Sequence, residues 1–361
     1  MDFALSVLDV SPVSSGSDGA QAVGNTLELC RLADRLGYER YWLAEHHNLP
    51  SVASSAPEVM IGEVASVTER IRVGAGGIML PNHAPLKVVE TFRVLEALHP
   101  KRIDLGIGRA PGTDPITATA LRRSPEVFEA EDFPQRFGEL LAFSGEGFPE
   151  EHPFRSVVAM PADVRLPPIW LLGSSGYSAR AAGQMGLGYA FASHFSPADP
   201  APAMHAYRES FEPSGDFERP SAILAVAVVC GENNEHAERL GSSMELAWVR
   251  MRNGNPGPLP SPEEAMAYPY TPAERRLAEA YRSIQLVGDP WTVRARLEEF
   301  ATRTAADEVM VTTNVYDHVE RLRSYERLAA AFSTETPGKE TLPNRPFTRK
   351  EKSTSSHYRA T

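Results

Sequence analysis

Two cysteines, Cys30 and Cys230, are all that the 361 residues contain. They stand far apart, each in an apolar pattern, so neither a disulfide framework nor a thiolate metal site can be built from them, and both are expected to be buried thiols. Long apolar runs are also missing. No uncharged stretch reaches the ~18 residues that a membrane helix needs, and Met1 to Val13 carries Asp2 rather than a basic segment ahead of its apolar run, unlike a secretory leader. A soluble, intracellular and cytoplasmic protein is expected. Positive charge is in deficit, with 36 Lys and Arg against 47 Asp and Glu for a net charge of -11. That removes the clustered positive field that a nucleic acid or another polyanion would require, so a small molecule is the expected partner. There is no Ser-His-Asp nucleophile elbow, Walker loop, HExxH zinc helix or cysteine zinc site. A cofactor, not a metal, should therefore supply the hard chemistry.

What is present is a hydrophobic content of 42%, enough to bury a large core, arranged as β-branched runs alternating with helical patterns. The runs read as strands are Phe3 to Val10, Tyr38 to Ala44, Ile71 to Ala75, Ile103 to Ile107, Ile169 to Leu172, Gly188 to Ala192, Ala222 to Val229 and Glu308 to Thr312. Helical patterns follow each of them: Thr26 to Leu36, Ala56 to Thr68, Leu86 to Leu98, Pro134 to Phe143, Ser178 to Met185, Pro200 to Phe211, Glu235 to Met251, Pro290 to Thr302 and a closing Asp317 to Phe332. Repeated βα units of this number predict an α/β fold, the (β/α)8 TIM barrel, over residues 1–333. Ala110 to Leu166 is long for a βα connection and reads as a rim insertion with one acidic amphipathic helix. Asn253 to Pro272 is too rich in Pro and Gly for regular structure and reads as a mobile loop or lid. Residues 334–361 are polar, basic and unpatterned, and read as a disordered tail.

In a barrel of this kind chemistry collects where strands end and βα loops begin, and four clusters lie there. Trp42-Leu43-Ala44-Glu45-His46-His47 ends the second strand. Adjacent residues of an extended chain point to opposite sides, so the two histidines do not grip one metal together. One of them could face the mouth and serve as hydrogen-bond donor or general acid and base near neutral pH, or both could be structural. Gly74, Gly76 and Gly77 at the end of the third strand suggest either a flat group approaching the backbone or a tight turn. After the fourth strand, Gly106-Ile107-Gly108-Arg109-Ala110-Pro111-Gly112 departs from a dinucleotide fingerprint because Pro111 replaces the third glycine. Arg109 there could hold a phosphate through two parallel hydrogen bonds, or form an ordinary salt bridge. Gly173-Ser174-Ser175-Gly176-Tyr177-Ser178 leads from the fifth strand into a helix whose free N–H groups would suit a phosphate dianion, with Ser178 as a possible cap.

In these four clusters, and in their order and spacing over about Met1 to Phe332, the chain resembles the bacterial luciferase-like flavin monooxygenases. The shared features are the WL-x-EHH segment, the RVG-x-x-x-I-x-LP segment, the strand-end arginine and the serine-rich loop. The resemblance implies that His46 is the active-site histidine beside the flavin ring and that the Gly76-Gly77 bond is a cis peptide under the isoalloxazine. It implies that Arg109, Ser174, Ser175, Gly176, Tyr177 and Ser178 hold the flavin phosphate. Gly108 and Ser174 stand where the aldehyde-using luciferases carry a cysteine and an acid, which argues against light emission and places the chain nearer the single-gene oxidoreductases, some of which tailor natural products in secondary metabolism. The implied reaction uses reduced FMN from a separate NAD(P)H:flavin reductase and oxygen, through a C4a-(hydro)peroxyflavin, to oxygenate an organic small molecule; a homodimer is common in the family. Two alternatives share the barrel: an F420-dependent hydride-transfer oxidoreductase and a non-catalytic flavin-binding subunit.

Overall fold

The computed structural model describes residues 3–122 and 132–333. The expected tail, 334–361, and residues 123–131 of the expected insertion lie outside the described residues. Eight parallel strands close into a barrel: β1 Ala4–Asp9, β2 Arg40–Leu43, β3 Arg72–Ala75, β5 Ile103–Gly108, β6 Ile169–Gly173, β7 Gly188–Ala192, β8 Ala222–Cys230 and β10 Glu308–Thr312. Closure is made by β10, which pairs with β1 through Ala4↔Glu308 and with β8 through Ile223↔Glu308. Two short strands supplement the barrel: β4 Ile78–Met79 pairs with the end of β5, and β9 Gln285–Gly288 pairs with the second half of β8.

The helices between them are α1 Gly19–Leu36, α2 Pro57–Ser66, α3 Pro85–Leu98, α4 Pro115–Arg122, α5 Asp132–Leu141, α6 Gly176–Gln184, α7 Ala201–Glu209, α8 Asn234–Arg252, α9 Pro262–Ala267, α10 Pro272–Ser283, α11 Pro290–Thr304 and α12 His318–Ser333. Cys30 and Cys230 are both free and buried, as composition suggests. No helix among the described residues is long and apolar enough to cross a membrane.

Three expectations need correction. The first helix starts at Gly19, not Thr26, because Asp18 caps it by accepting from the Gln21 N–H, a signal that outweighs the weak apolar pattern of the first turns. The insertion holds a second helix besides the acidic one: α4 begins where the Asp114 carboxylate accepts from the N–H groups of Ile116 and Thr117. The stretch read as irregular contains one short helix, α9, capped by Ser261. Leu259 is buried, its N–H donates to Val13 and its carbonyl accepts from Ser15, so the backbone pairs with the loop after β1. Beyond it, α10 and β9 were not expected from the pattern; a capping box of Thr271 and Glu274 starts α10.

The barrel interior is stacked in layers, as alternation along parallel strands requires. At the N-terminal end Arg40, Arg72, Asp104 and Glu308 form a buried charge layer, with Arg40 at 2.8 Å from both Asp104 and Glu308, and Arg72 at 2.5 Å from Asp104. Above it lie Leu8, Trp42, Trp170, Ile223 and Met310, the two indoles edge to face at 5.6 Å. The guanidinium of Arg40 sits over Trp170 at 4.8 Å. Toward the strand C-termini, where the four sequence clusters converge, the interior cluster contains the small residues Ala44, Ala190 and Ala225, with Val10 and Leu172 packed against it.

Candidate functional site

Trp42 and Ala44 belong to the interior cluster, so the same alternation carries His46 to the mouth and turns Glu45 and His47 away from it. His46 is half-buried, its backbone N–H donates to the Ser54 carbonyl at 3.0 Å, and its Nδ1 is shut off from solvent with no partner among the described residues. Burial holds its pKa below the usual histidine range, and the charge of His47 adds to that, against the opposing pull of Glu45. The imidazole is therefore neutral near pH 7, with one N–H and one lone pair to offer.

Glu45, which the sequence reading left without a role, is fully buried and organises the wall behind His46. Its carboxylate lies 2.8 Å from His47 Nε2 and 2.9 Å from His83 Nε2, and accepts from the Met79 N–H at 2.8 Å. Burial alone would raise its pKa; the hydrogen bond and charge of His83, the bond from His47 and the Met79 N–H reverse that and lower it. An ionised carboxylate only accepts, so both histidines donate through Nε2. His83 responds in kind: burial would lower its pKa, but the hydrogen bond to Glu45 and its charge raise it. The carboxylate thus ties the end of β2 to the segment that runs from Gly76 to Met79.

This clamp has a checkable pH signature. A histidine whose folded pKa lies above its unfolded value contributes stability that is complete below about 6.5 and fades as pH rises through the folded pKa. His83→Ala is therefore expected to cost more at about pH 5.5, where Glu45 is still ionised, than at about pH 9. Urea unfolding of both proteins at the two pH values measures the gap; a gap that grows with pH rejects the charged pairing.

The Gly76-Gly77 peptide bond is cis, as the family resemblance implies. The protein itself already requires glycine here: a Cβ on Gly76 would stand 2.7 Å from Leu8, and one on Gly77 2.7 Å from the Gly106 carbonyl. Gly112 is required for a similar reason. Its φ is +65° and a Cβ there would lie 2.7 Å from the Glu45 carbonyl, while its own carbonyl accepts from the His47 N–H. The loop after β5 thus folds back onto the Glu45-His46-His47 segment and opens no helix at that point, consistent with rejecting a dinucleotide fingerprint.

Arg109 follows the last residue of β5, and Ser174 the last residue of β6; the two strands are neighbours in register through Ile107↔Leu171. Arg109 is exposed and has no ion-pair or hydrogen-bond partner among the described residues. In the helix beside it, α6, the N-cap position is held by Ser175, not by Ser178: Ser175 has extended backbone angles, but its side chain makes no capping bond. Ser178 falls inside the first turn and donates to the Ser175 carbonyl at 3.0 Å. That leaves first-turn N–H groups at Gly176, Tyr177 and Ser178 without an intrahelical acceptor. Ser174, Ser175 and Tyr177 are exposed. An exposed guanidinium with no partner among the described residues, on the strand next to a helix N-terminus without a side-chain cap, is a donor set that fits a phosphate dianion.

The structure thus brings His46, the Gly76-Gly77 segment, Arg109 and the Ser174–Ser178 loop to one rim. Sequence reasoning missed Glu45 and His83 as a unit, and missed His194, which follows β7. The signal for His194 was available, since it stands two residues beyond the inward-facing Ala192.

A family model of luciferase-like monooxygenases matches residues 1–308. A luciferase-like monooxygenase of Escherichia coli (strain K12) is 43% identical over 324 residues, covering 90% of this chain and 95% of its own. The N-acetyl-S-alkylcysteine monooxygenase of Bacillus subtilis (strain 168) is 32% identical over 329 residues, covering 91% and 97%. Among solved structures, apo-MsnO8 superposes with a TM-score of 0.82 at 39% identity over 92% of this chain and 98% of its own. Barrel, rim and sequence agree: the chain belongs to the luciferase-like monooxygenase family.

Proposed function

We propose that the protein is a flavin-dependent monooxygenase that takes reduced FMN from a separate NAD(P)H:flavin reductase and oxygenates an organic small molecule. The observation that carries this reading is Arg109, exposed at the end of β5 and without a partner among the described residues, one strand away from the N-terminus of α6, whose N-cap side chain makes no capping bond. Ser174, Ser175, Gly176, Tyr177 and Ser178 would share the phosphate with Arg109, and Gly76, Gly77 and His46 would face the ring system. When bound, reduced FMN would supply the two electrons that let one atom of O2 enter the substrate and the other leave as water.

The chain's own residues then do three things. Arg109 and the α6 N–H groups fix the cofactor by charge-assisted hydrogen bonds. The Glu45 carboxylate holds His47 and His83 so that the β2 end and the Gly76–Met79 segment keep one geometry. His46, neutral and only half-exposed, holds or moves a proton at its ring nitrogens, while the alanine-lined mouth takes up the substrate and keeps bulk water out. A homodimer belongs to the same reading, with the exposed Val59, Val94 and Leu98 of α2 and α3 as apolar surface for a second copy to cover.

Arg109→Ala removes a charged hydrogen bond worth ~1.5 to 3 kcal/mol and is expected to weaken FMNH2 by about tenfold or more. Anaerobic titration, with F420 run in parallel, measures it. Unchanged affinity in a folded variant rejects the phosphate assignment, and tight binding of F420 with none of FMNH2 rejects the flavin.

A further inference from the structure

Arg109 and Ala110 are both exposed, and the Arg109 guanidinium meets no partner among the described residues. Its side chain therefore does not fix its own direction, which falls to the backbone of the turn from Gly108 to Gly112. Glycine has the largest backbone freedom of any residue, and this turn has one at each end, Gly112 at a φ of +65°. Such a turn keeps one geometry only if neighbouring segments hold it. Its far end is tied by hydrogen bonds: Asn82 Nδ2 donates to the Pro111 carbonyl at 3.0 Å, and the His47 N–H to the Gly112 carbonyl at 3.2 Å.

Both ends also rest against one side chain, Met79. A Cβ on Gly108 would stand 2.8 Å from Met79 Sδ, one on Gly112 3.1 Å from Met79 Cγ, and the Met79 ε-methyl would lie 3.6 Å from either. The thioether thus fills the room that the two missing side chains leave, and an unbranched, polarisable chain suits such an irregular gap. Met79 is itself held in place. In β4 it pairs with Gly108, and its N–H donates to the Glu45 carboxylate at 2.8 Å. One residue therefore joins the Glu45 clamp to the turn that carries Arg109. Truncating it would strip the apolar contact from both glycines and leave a void beneath them.

We propose that Met79 is a positioning residue for cofactor binding: its thioether braces the Gly108–Gly112 turn, so that Arg109 is presented to the phosphate in one direction without Met79 touching the phosphate. The phosphate rests on the flavin reading above; the bracing of the turn does not.

The test is a double-mutant cycle on the full chain, read by anaerobic titration with FMNH2, together with amide hydrogen exchange on the flavin-free protein. Met79→Ala is expected to weaken FMNH2 by about tenfold, and Met79→Leu, which keeps the apolar bulk, to stay within about threefold of the parent. In an Arg109→Ala background Met79→Ala should cost less than about twofold, because the direction of an absent guanidinium has no effect. A merely structural role would lower the urea midpoint and cost the same factor in both backgrounds. Exchange of the His47 N–H, which bonds the Gly112 carbonyl, should speed up about tenfold in Met79→Ala and not in Met79→Leu. The Leu259 N–H, bonded to Val13 on the same rim, should hold within about twofold. Parent affinity in Met79→Ala, a full further loss in the Arg109→Ala background, or unchanged His47 exchange overturns the proposal. Should Met79→Ala not fold, Met79→Val takes its place with the same outcomes. If Arg109→Ala itself leaves FMNH2 affinity unchanged, the phosphate assignment falls, and His47 exchange alone decides whether Met79 braces the turn.

Discussion

His46→Ala is expected to fold, to bind FMNH2 with nearly the parent affinity, and to lose product formation by ~10²-fold or more. The expectation follows from the proposed separation of the site into parts: phosphate recognition would fall to Arg109 and α6, whereas His46 contributes a half-buried neutral imidazole whose Nδ1 has no partner among the described residues. Removing it deletes chemistry without deleting a support. His47→Ala is the informative control. Its ring donates to Glu45 at 2.8 Å, so its loss deprives a fully buried carboxylate of one of its donors and should appear mainly in stability, at ~1 to 3 kcal/mol. Steady-state rates with reduced flavin in excess, together with urea midpoints, separate the two outcomes. A rate for the His46 variant equal to the parent's refutes the assigned role, and a larger rate loss in the His47 variant assigns it to the other histidine.

The second large effect is expected at the opposite end of the barrel. Asp104 is fully buried and receives Arg40 at 2.8 Å, Arg72 at 2.5 Å and the Trp42 indole N–H at 3.2 Å. Burial by itself would raise its pKa, but the two guanidiniums lower it. Asp104→Ala leaves Arg40 with Glu308 alone and leaves Arg72 without its carboxylate, and breaking a buried pair from one side costs ~3 to 5 kcal/mol. The loss should be read in equilibrium unfolding as a lowered midpoint with an unchanged slope. A cost under ~1 kcal/mol would show that water reaches this layer and screens it.

Much of the architecture was legible because it rests on local periodicity. All eight barrel strands fall within or beside the apolar runs read from sequence, since a strand buried on both faces must be a short apolar run whatever surrounds it. Among the elements that escaped, α4, α10 and β9 are carried by caps and pairing more than by pattern: Asp114 and Thr271 start the two helices, and β9 exists through its register with Ala227–Cys230. The family also shows in sequence, because the strand-end motifs keep their spacing along the chain over the whole barrel.

The site divides along the same line. Sequence alone determined that His46, Arg109 and the Ser174–Ser178 loop stand at strand ends, because alternation and helix starts are properties of consecutive residues. It could not decide what meets what across loops. That His83 shares the Glu45 carboxylate with His47 spans 38 residues, that Arg109 meets no partner among the described residues depends on the neighbouring loops, and that His194 approaches the mouth from the wall opposite His46 depends on closure of the barrel by β10. Only tertiary structure decides such facts, because a hydrogen bond or an unpartnered ring nitrogen is set by distances between segments, and local pattern carries no information about them.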